Sequence, residues 1–415
     1  MTLSATPTPA FDWIDGGGVT TPLGFIAGGT YAGIKTYGEE PRLDLGILGG
    51  EGPLTAAGVF TRNAVTGHSV AHGRRVLGQT RTVRGVVINS GNANTVTGTQ
   101  GAADCARMAA LAAGRLGGSD GDEVLVGSTG VIGRMLPMEQ VERGVAEVAL
   151  SRDGGYAFAR AIMTTDTHEK QAALRFEAAG RAYRVGGCAK GSGMIHPNMG
   201  TMYALITTDA PVDVGWLDAT WREVVDRTFN MIDVDMDTST SDMGLVFASG
   251  AAGGEPVTDG HPAAPALAAA IEAVAQRLAK SVARDGEGAT CLIEATATGA
   301  ADLADARMAA RTIVSSPLMK TAVTGRDPNW GRAMMAVGRS GARVDADAAS
   351  VWIGEHCVLD RGQPTTVDLR LVSQAMAQEV VAIRVDLGVG GDASATAWGC
   401  NLTHEYVSIN ADYTT

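Results

Sequence analysis

The order of the strand and helix patterns is the feature that most constrains the fold of this chain. Strand patterns, in which small and β-branched residues alternate, occupy residues 19–60, and they dominate the chain again after residue 350. Between these regions, helix and strand patterns follow one another in blocks, without the strict βαβ alternation of a doubly wound parallel sheet. The order predicts an α+β fold in which mixed or antiparallel sheets are layered with helices. Because 415 residues exceed what one ordinary hydrophobic core serves, we expect two lobes.

Individual segments give more definite expectations. Apolar residues recur at helical spacing over 101–117 and 263–283, and the stretch 302–325 also has a mostly helical pattern. The final segment, "EYVSINADYTT" (405–415), is predicted to be a strand because its polar and apolar residues alternate. The best candidate for a junction is the glycine-rich loop that ends before Thr201.

Charge and cysteine usage limit the classes of function. A formal net charge of −12 argues against a general binder of nucleic acid or of anionic membranes, since both require a basic face. The cysteines are odd in number, far apart and without a CxxC pair, which indicates reduced thiols rather than a disulfide framework or a zinc site. The five are Cys105, Cys188, Cys291, Cys357 and Cys400.

Targeting and metal signals are also missing from the sequence. The N-terminal "MTLSATPTPAFDW" lacks a basic start and an apolar core, and the longest apolar-looking run contains Glu272 and is too short for a membrane span. The seven histidines form no HxxxH or HExxH pair, and "DVDMDTSTSD" (233–242) lacks the glycine and glutamate of a calcium loop. We expect a cytoplasmic protein that requires no metal.

A loose loop ends abruptly in a strand pattern within "GSGMIHPNMGTMYALITTDA" (191–210). A threonine hydroxyl is a weak nucleophile, but a terminal threonine has its own α-amine as a base, with a pKa of about 8. An internal Thr201 becomes terminal only if the chain is cut before it, and Gly200 offers little steric hindrance to such self-cleavage. The alternative is a threonine that simply begins a strand.

Four further residues have a functional and a structural interpretation. "GSTGVIG" (127–133) could supply backbone N–H groups and the Thr129 hydroxyl to an oxyanion, or be only a glycine turn. Lys190 does not have the spacing of a phosphate loop, and it either anchors a substrate carboxylate or lies on the surface. Thr167 either lines a pocket or belongs to a hydrogen-bonded turn. Glu287, between two glycines, either binds a cationic group or is exposed.

The motifs together resemble the ornithine acetyltransferase family, whose members are also called bifunctional glutamate N-acetyltransferases. "AKGSGMIHPNMGTM" resembles the processing site of that family. The segments that follow the order of the family cover nearly the whole chain, and they include "GSTGVIG", "AIMTTDTHEKQ", "DTSTSD", "DGEGAT", "SSPLMKTAVTGRDPNWGR" and "YVSINADYTT". The family fold is similar to the N-terminal-nucleophile architecture, with sheets flanked by helices.

The resemblance implies a reaction. The precursor would cut itself between Gly200 and Thr201 into an α chain (1–200) and a β chain (201–415), which assemble as two α and two β chains. The new N-terminal threonine would take an acetyl group from N2-acetyl-ornithine and pass it to glutamate in arginine biosynthesis. No cofactor is implied, although some members also accept acetyl-CoA as a donor.

The resemblance also implies residue roles. Thr201 would be the nucleophile, and Thr129 with Gly130 would form the oxyanion hole. The implied substrate contacts are Thr167, Lys190, Thr201, Glu287, Asn410 and Thr415.

One residue departs from the pattern, since the family usually has alanine where this chain has Gly200. Three alternatives therefore stay open: an N-terminal-nucleophile amidase or aminopeptidase, a relative that uses another acyl acceptor in specialised metabolism, and a non-catalytic relative that is never cut.

Overall fold

The computed structural model describes residues 11–35, 42–196 and 202–412. The strands are β1 (Asp12–Trp13), β2 (Phe25–Thr30), β3 (Leu45–Phe60), β4 (Thr82–Asn92), β5 (Val124–Val131), β6 (Lys170–Ala178), β7 (Arg181–Lys190), β8 (Tyr203–Thr208), β9 (Ile232–Asp233), β10 (Met243–Ala248), β11 (Leu292–Ala300), β12 (Ser350–Ile353), β13 (His356–Asp360), β14 (Gln363–Pro364), β15 (Val380–Asp386) and β16 (Ala393–Cys400).

The helices lie between these strands in blocks. They are α1 (His68–Gln79), α2 (Gly98–Arg115), α3 (Met138–Glu147), α4 (Gly155–Ala161), α5 (Val214–Arg227), α6 (Ala264–Arg284), α7 (Leu303–Val314), α8 (Pro317–Gly325), α9 (Gly331–Gly338), α10 (Leu369–Ala375) and α11 (His404–Asp412). Two short 3₁₀ turns, Gly121–Glu123 and Phe229–Met231, complete the regular elements of the described residues.

The first sheet is mixed and contains nine strands among the described residues. Its order is β1-β6-β7-β8-β10-β3-β4-β5, and β2 also pairs with β3. The β8–β10 and β4–β5 pairs are parallel, whereas the others are antiparallel. The two strands that follow position 201, β8 and β10, therefore lie inside the sheet, with earlier strands on both sides. The loop before Thr201 connects two paired neighbours of one sheet, so it is not a boundary between sheets.

The second sheet comes mainly from the C-terminal third of the chain, in the order β14-β13-β12-β15-β11-β16-β9. Helix α6 packs against β6 and β7 of the first sheet and also against β16 and β11 of the second. The largest apolar core is continuous across both sheets, and Leu174, Ile206, Leu278, Ile293 and Ile383 are among its members. The predicted α+β class, with mixed sheets layered with helices, is confirmed.

The helix predictions for 101–117, 263–283 and 302–325 are confirmed by α2, α6 and the α7–α8 pair. The prediction of a final strand is wrong, because residues 405–412 of that segment belong to α11. Thr403 explains the difference: its hydroxyl accepts a hydrogen bond from Glu405 N at 3.2 Å and donates to Gly288 O at 2.7 Å. A capping hydroxyl of this kind favours the start of a helix over an edge strand.

Among the described residues, no helix combines the length and the apolar composition that crossing a bilayer requires.

Candidate active site

A cleft opens where several strand ends of the first sheet meet. Lys190 is the last residue of β7, and it pairs with Tyr203 at the start of β8. Tyr203 in turn pairs with Met243, the first residue of β10. Strand β5 lies at the far edge of the same sheet, with three strands between it and β8. The Tyr203 hydroxyl donates to Ser128 O of β5 at 2.7 Å, which links these two strands.

Eighteen residues of the described part of the chain line the cleft. Most are polar or small, and the sequence had already singled out five of them. Those five are Thr129, Gly130, Lys190, Glu287 and Asn410.

Lys190 is a buried cation that donates hydrogen bonds to two hydroxyls. Its Nζ lies 3.1 Å from Thr129 Oγ1 and 3.1 Å from Thr164 Oγ1. Burial lowers the pKa of Lys190, and the neighbouring carboxylates of Asp166 and Asp242 oppose that shift. The surface interpretation of Lys190 is wrong, because only 8% of the residue is exposed. A charged donor at this position is suited to orient an anionic substrate group or hold a catalytic hydroxyl.

A buried ion cluster supports the floor of the cleft. Lys170 Nζ lies 2.6 Å from Asp166 Oδ1 and 2.6 Å from Asp285 Oδ2, and solvent reaches at most 5% of any of these side chains. Asp166 Oδ1 also accepts from Gly191 N at 2.7 Å. Burial opposes the charge of Asp166, but Lys170 and Lys190 prevail and hold its pKa at about 2. The cluster thereby ties the segment before β6 to the residue that follows Lys190.

Glu287 and Asn410 meet at the opposite wall. Asn410 Nδ2 donates to Glu287 Oε2 at 2.7 Å, and Glu287 N donates to Ser192 O at 2.9 Å. A Cβ on Gly193 would lie 2.4 Å from Glu287 Oε1, so the glycine makes room for the carboxylate. Glu287 is 8% exposed, and the alternative of an exposed surface glutamate is therefore wrong. A buried carboxylate on a cleft wall is suited to bind an ammonium group.

The backbone at Gly130 has a conformation that residues with a side chain rarely adopt. Its φ is +126°, and a Cβ there would lie 2.4 Å from the carbonyl carbon of Gly91 on the neighbouring strand. The adjacent residue is Thr129, whose hydroxyl accepts a hydrogen bond from Lys190 Nζ. The geometry brings the Thr129 hydroxyl and the Gly130 backbone to the same cleft. It is compatible both with a glycine turn and with an oxyanion hole.

The Gly130→Ala variant is expected to lose both stability and activity, because the added methyl group must displace the backbone of β4. Overpacking of this kind costs about 1–3 kcal/mol in addition to the strained φ. Gly133→Ala is the matched control, since Gly133 also has a positive φ of +81° but nothing lies within 4 Å of its Cβ position. Thermal unfolding and catalytic rates are compared, and equal losses in the two variants would contradict the crowding argument.

The structure places Thr167 outside the cleft lining. The residue is exposed, and its hydroxyl donates to Asp285 Oδ1 while its backbone N donates to Asp285 Oδ2 at 3.1 Å. Thr164 and Thr165 line the cleft instead. Thr167 therefore orients the ion cluster in this structure, and its contact with substrate stays a prediction. Gly200, Thr201 and Thr415 lie outside the described residues.

The segment before the expected cleavage position is held by the loop that follows β9. Met194 N and Ile195 N donate to the Asp235 carboxylate at 2.6 and 2.9 Å. His196 Nδ1 lies 2.8 Å from Asp233 Oδ1, and Thr238 Oγ1 donates to His196 O at 2.9 Å. Residues 194–196 are thus held against β9 and the loop that follows it.

Several cleft residues were not predicted as site residues. Thr164 and Thr165 come from a segment in which only Thr167 was selected, and Ser239, Thr240, Ser241 and Asp242 come from the acidic stretch that failed the calcium test. The sequence signal that could have identified these residues is a run of hydroxyl and carboxylate side chains directly before a buried strand. Among the described residues, no group of three or more His, Cys, Asp or Glu side chains is arranged to hold a metal ion.

Comparison with known proteins connects this cleft to a family. A family model described as "ArgJ family" matches residues 26–415. The arginine biosynthesis bifunctional protein ArgJ of Symbiobacterium thermophilum is 48% identical over 408 residues, which cover 97% of this chain and all of that protein. The chain belongs to the ArgJ family.

A second ArgJ relative, from Dehalococcoides mccartyi, is 46% identical over 98% of this chain and 99% of its own length. Two solved structures are also similar. ArgJ of Bacillus halodurans has 42% identity and a TM-score of 0.49, covering 51% of this chain and 98% of that one. Ornithine acetyltransferase of Mycobacterium tuberculosis, complexed with ornithine, has 41% identity and a TM-score of 0.42, covering 46% of this chain and 100% of that one.

Proposed function

We propose that this member of the ArgJ family is a self-cleaving acyltransferase of arginine biosynthesis. It moves an acetyl group from N2-acetyl-L-ornithine to L-glutamate through an acetyl-threonine intermediate on Thr201. The observation that carries the proposal is the convergence of Thr129, Gly130, Lys190 and Glu287 on the cleft at the start of β8, directly after position 201. Family membership over nearly the whole chain supports the same reaction.

The chemistry assigns a role to each group. After a cut before Thr201, the new α-amine takes the proton of the threonine hydroxyl, and the oxygen attacks the acetyl carbonyl. The Thr129 hydroxyl and the Gly130 backbone stabilise the oxyanion that develops. Lys190 supports Thr129 through its 3.1 Å hydrogen bond and adds a positive charge beside the oxyanion. Ornithine leaves, and the amine of glutamate then takes the acetyl group from the threonine.

The substrate groups fit opposite walls of the cleft. Acetyl-ornithine carries a carboxylate, which suits the Lys190 cation, and a side-chain ammonium, which suits the Glu287 carboxylate. Thr167 and Thr415 remain proposed contacts, together with Asn410, which holds Glu287 in place. Acetyl-CoA is a further proposed donor, and we propose that the two chains assemble as two α and two β chains in the cytoplasm.

A donor and acceptor assay tests the transfer. Purified protein is mixed with acetyl-ornithine, with and without glutamate, and the release of ornithine is measured. We expect glutamate to accelerate ornithine release and to yield N-acetylglutamate with ping-pong kinetics. Release of ornithine at the same rate without glutamate would contradict the transferase and support an amidase. A faster transfer to another amine acceptor would support a role in specialised metabolism.

Intact-mass measurement tests the cleavage. We expect two chains that correspond to residues 1–200 and 201–415. A single full-length mass from active protein would contradict self-cleavage and the terminal amine as the base.

The Glu287→Gln variant is expected to lose about 10–100-fold in kcat/KM for acetyl-ornithine, since a hydrogen bond between charged groups contributes about 1.5–3 kcal/mol. The loss should be smaller for an acetyl donor without the side-chain ammonium, such as acetyl-CoA if it is a substrate, or acetyl-norvaline. Glu405→Gln, an exposed change on α11, is the matched control. Equal losses for donors with and without the ammonium would remove Glu287 from substrate recognition.

A further inference from the structure

The cleft contains a threonine, Thr164, to which the proposed chemistry gives no role. Thr164 lies between α4 and β6, lines the cleft and retains some solvent exposure. Its neighbour in the cleft is Lys190, the cation proposed to bind the carboxylate of acetyl-ornithine. Any role of Thr164 beside that cation rests on the proposed function, because it presupposes an amino-acid substrate in the cleft.

Thr164 and Lys190 are held together by one buried carboxylate. Asp166 Oδ2 accepts from Thr164 N at 2.9 Å, and Asp166 Oδ1 accepts from Gly191 N at 2.7 Å. Gly191 follows Lys190 directly, so the backbone at both positions is anchored to the same side chain. Asp166 is itself fixed by Lys170 at 2.6 Å and is only 4% exposed. The contact between Thr164 and Lys190 is therefore preorganised by the ion cluster beneath it.

The direction of hydrogen bonding follows from the chemistry of an ammonium group. Lys190 Nζ lies 3.1 Å from Thr164 Oγ1 and 3.1 Å from Thr129 Oγ1. A protonated lysine has three donors and no acceptor, so both hydroxyls accept from it. Burial lowers the pKa of Lys190, but the carboxylates of Asp166 and Asp242 favour its charged form. Each threonine therefore keeps its own hydroxyl hydrogen for another acceptor.

The Thr164 and Thr129 hydroxyls have no acceptor for these hydrogens among the described residues. Lys190 is the sole partner of each of the two oxygens in that part of the chain. Another threonine of the lining differs, because the Thr165 hydroxyl pairs with Ser192 Oγ at 2.6 Å. A hydroxyl without an acceptor in a cleft is suited to donate to a ligand, and here two such hydroxyls contact one cation.

We propose that Thr164 is a substrate-binding residue whose hydroxyl donates to the α-carboxylate of the ornithine part of the substrate, beside Lys190. A carboxylate has two oxygens with about four acceptor sites, so it can accept from Lys190 and Thr164 at once. The two hydroxyls on Lys190 thus serve different negative charges of the reaction. Thr129, next to Gly130, takes the oxyanion, and Thr164 takes the carboxylate.

The binding of ornithine is compared with that of ornithinamide, in which a neutral amide replaces the carboxylate. Calorimetry on the purified protein gives both dissociation constants at pH 6.5, below the α-amine pKa of about 8, so that both ligands carry two ammonium groups. We expect the wild type to prefer ornithine. Thr164→Val has nearly the same shape without the hydroxyl and should reduce that preference by about 10–100-fold, since hydrogen bonds to charged groups are the stronger ones. An unchanged preference overturns the proposal.

Two variants control for the substitution itself. Thr164→Ser keeps the hydroxyl and should keep the preference for ornithine, and a loss equal to that of Thr164→Val overturns the role of the hydroxyl. Thr321→Val removes a hydroxyl that also accepts from a cation, Arg332 Nη1 at 3.3 Å, but lies exposed on α8 and outside the cleft lining. It should bind both ligands like the wild type. If Thr164→Val melts below the assay temperature, Thr164→Ala takes its place with the same expectation.

A double-mutant cycle separates direct contact from an effect transmitted through Lys190. The Thr164→Val change is repeated in a Lys190→Met protein, where no cation remains for the hydroxyl to orient. A hydroxyl that donates to the carboxylate itself still contributes there, so the change should reduce the preference for ornithine again. No further reduction would mean that Thr164 only orients Lys190, and it overturns the direct contact.

Failure of this inference can be distinguished from failure of the proposed function. Wild-type protein that transfers acetyl groups and prefers ornithine, together with Thr164→Val that keeps the preference, overturns the role of Thr164 alone. Wild-type protein that transfers acetyl groups but binds ornithine and ornithinamide equally overturns the carboxylate site. Wild-type protein that neither transfers acetyl groups nor binds ornithine overturns the proposed function, and the role of Thr164 with it.

Discussion

The Thr201→Ala variant is expected to remain a single full-length chain and to lose acetyl transfer. The change removes the hydroxyl of the residue two positions before the start of β8 in the sequence. Without that oxygen the proposed self-cleavage has no nucleophile, and neither the terminal amine nor the acetyl-enzyme can form. Removal of a nucleophile in a hydrolase costs about 10⁶-fold in kcat, and a loss of that order is expected here.

Electrophoresis and the acetyl-ornithine assay measure the two effects separately. Thr201→Ser is the matched variant, because it keeps the hydroxyl, and it should be cut and retain activity. Two chains from Thr201→Ala would mean that another protease makes the cut. An uncut Thr201→Ala protein with normal transfer would place the acetyl group on a different residue.

The second large effect is expected from Lys170→Met. Lys170 is the cation between Asp166 and Asp285, and all three side chains are buried. Methionine would leave the carboxylates of Asp166 and Asp285 without the cation between them. Removal of one partner from a buried ion pair lowers the free energy of unfolding by about 3–5 kcal/mol. The comparison is made in the Thr201→Ala background, so that both proteins unfold as one chain, and it uses denaturant titration.

Acidification distinguishes the loss of this cluster from a loss of packing. In the wild type, the pKa of Asp166 is lowered to about 2, so its stabilising contribution is present above about pH 4 and is lost as the pH falls towards 2. In Lys170→Met the Asp166 carboxylate loses its nearest cation and should take up a proton at higher pH. The difference in stability between the two proteins should therefore shrink as the pH falls from 7 to 5. A difference independent of pH would point to packing. Lys280→Met removes a half-exposed lysine of α6 that pairs with Glu294 at 2.7 Å, and it controls for the loss of a lysine charge outside the buried cluster.

The parts of the fold that the sequence predicted are those where one periodicity dominates. Helix α6 and the helix pair α7–α8 have apolar residues on a regular stripe, and their tertiary surroundings agree with it. Helix α1 was not predicted, because its buried side includes Ser69, His72 and Gly73 and does not read as an apolar stripe. Burial of the His72 ring is compensated by a hydrogen-bond contact, since its Nε2 lies 2.9 Å from Val124 O, 52 residues away in the sequence. No local pattern contains that contact.

Site residues could be predicted from the sequence where a charged residue lies in a context that is unusual for a purely structural role. A lysine or glutamate set among glycines stood out, and the structure places Lys190 and Glu287 on the cleft. Asp242 did not stand out, because acidic residues surround it in the sequence and most of them have ordinary roles. Asp233 and Asp235 hold the loop, and Asp237 is exposed. Asp242 differs from them in the folded protein, where it lines the cleft immediately before β10.

Because of the strand order in the nine-stranded sheet, a cut before Thr201 would change how the protein refolds. Strands β8 and β10 lie between β7 on one side and β3 on the other, so two strands that follow position 201 are flanked by strands that precede it. An uncut chain regains this arrangement by a unimolecular reaction, at a rate independent of concentration. After the cut, the same refolding requires two molecules to meet and one to thread its strands between those of the other. After cleavage, unfolding would therefore be difficult to reverse. The lifetime of the mature enzyme would then depend on how slowly it first unfolds.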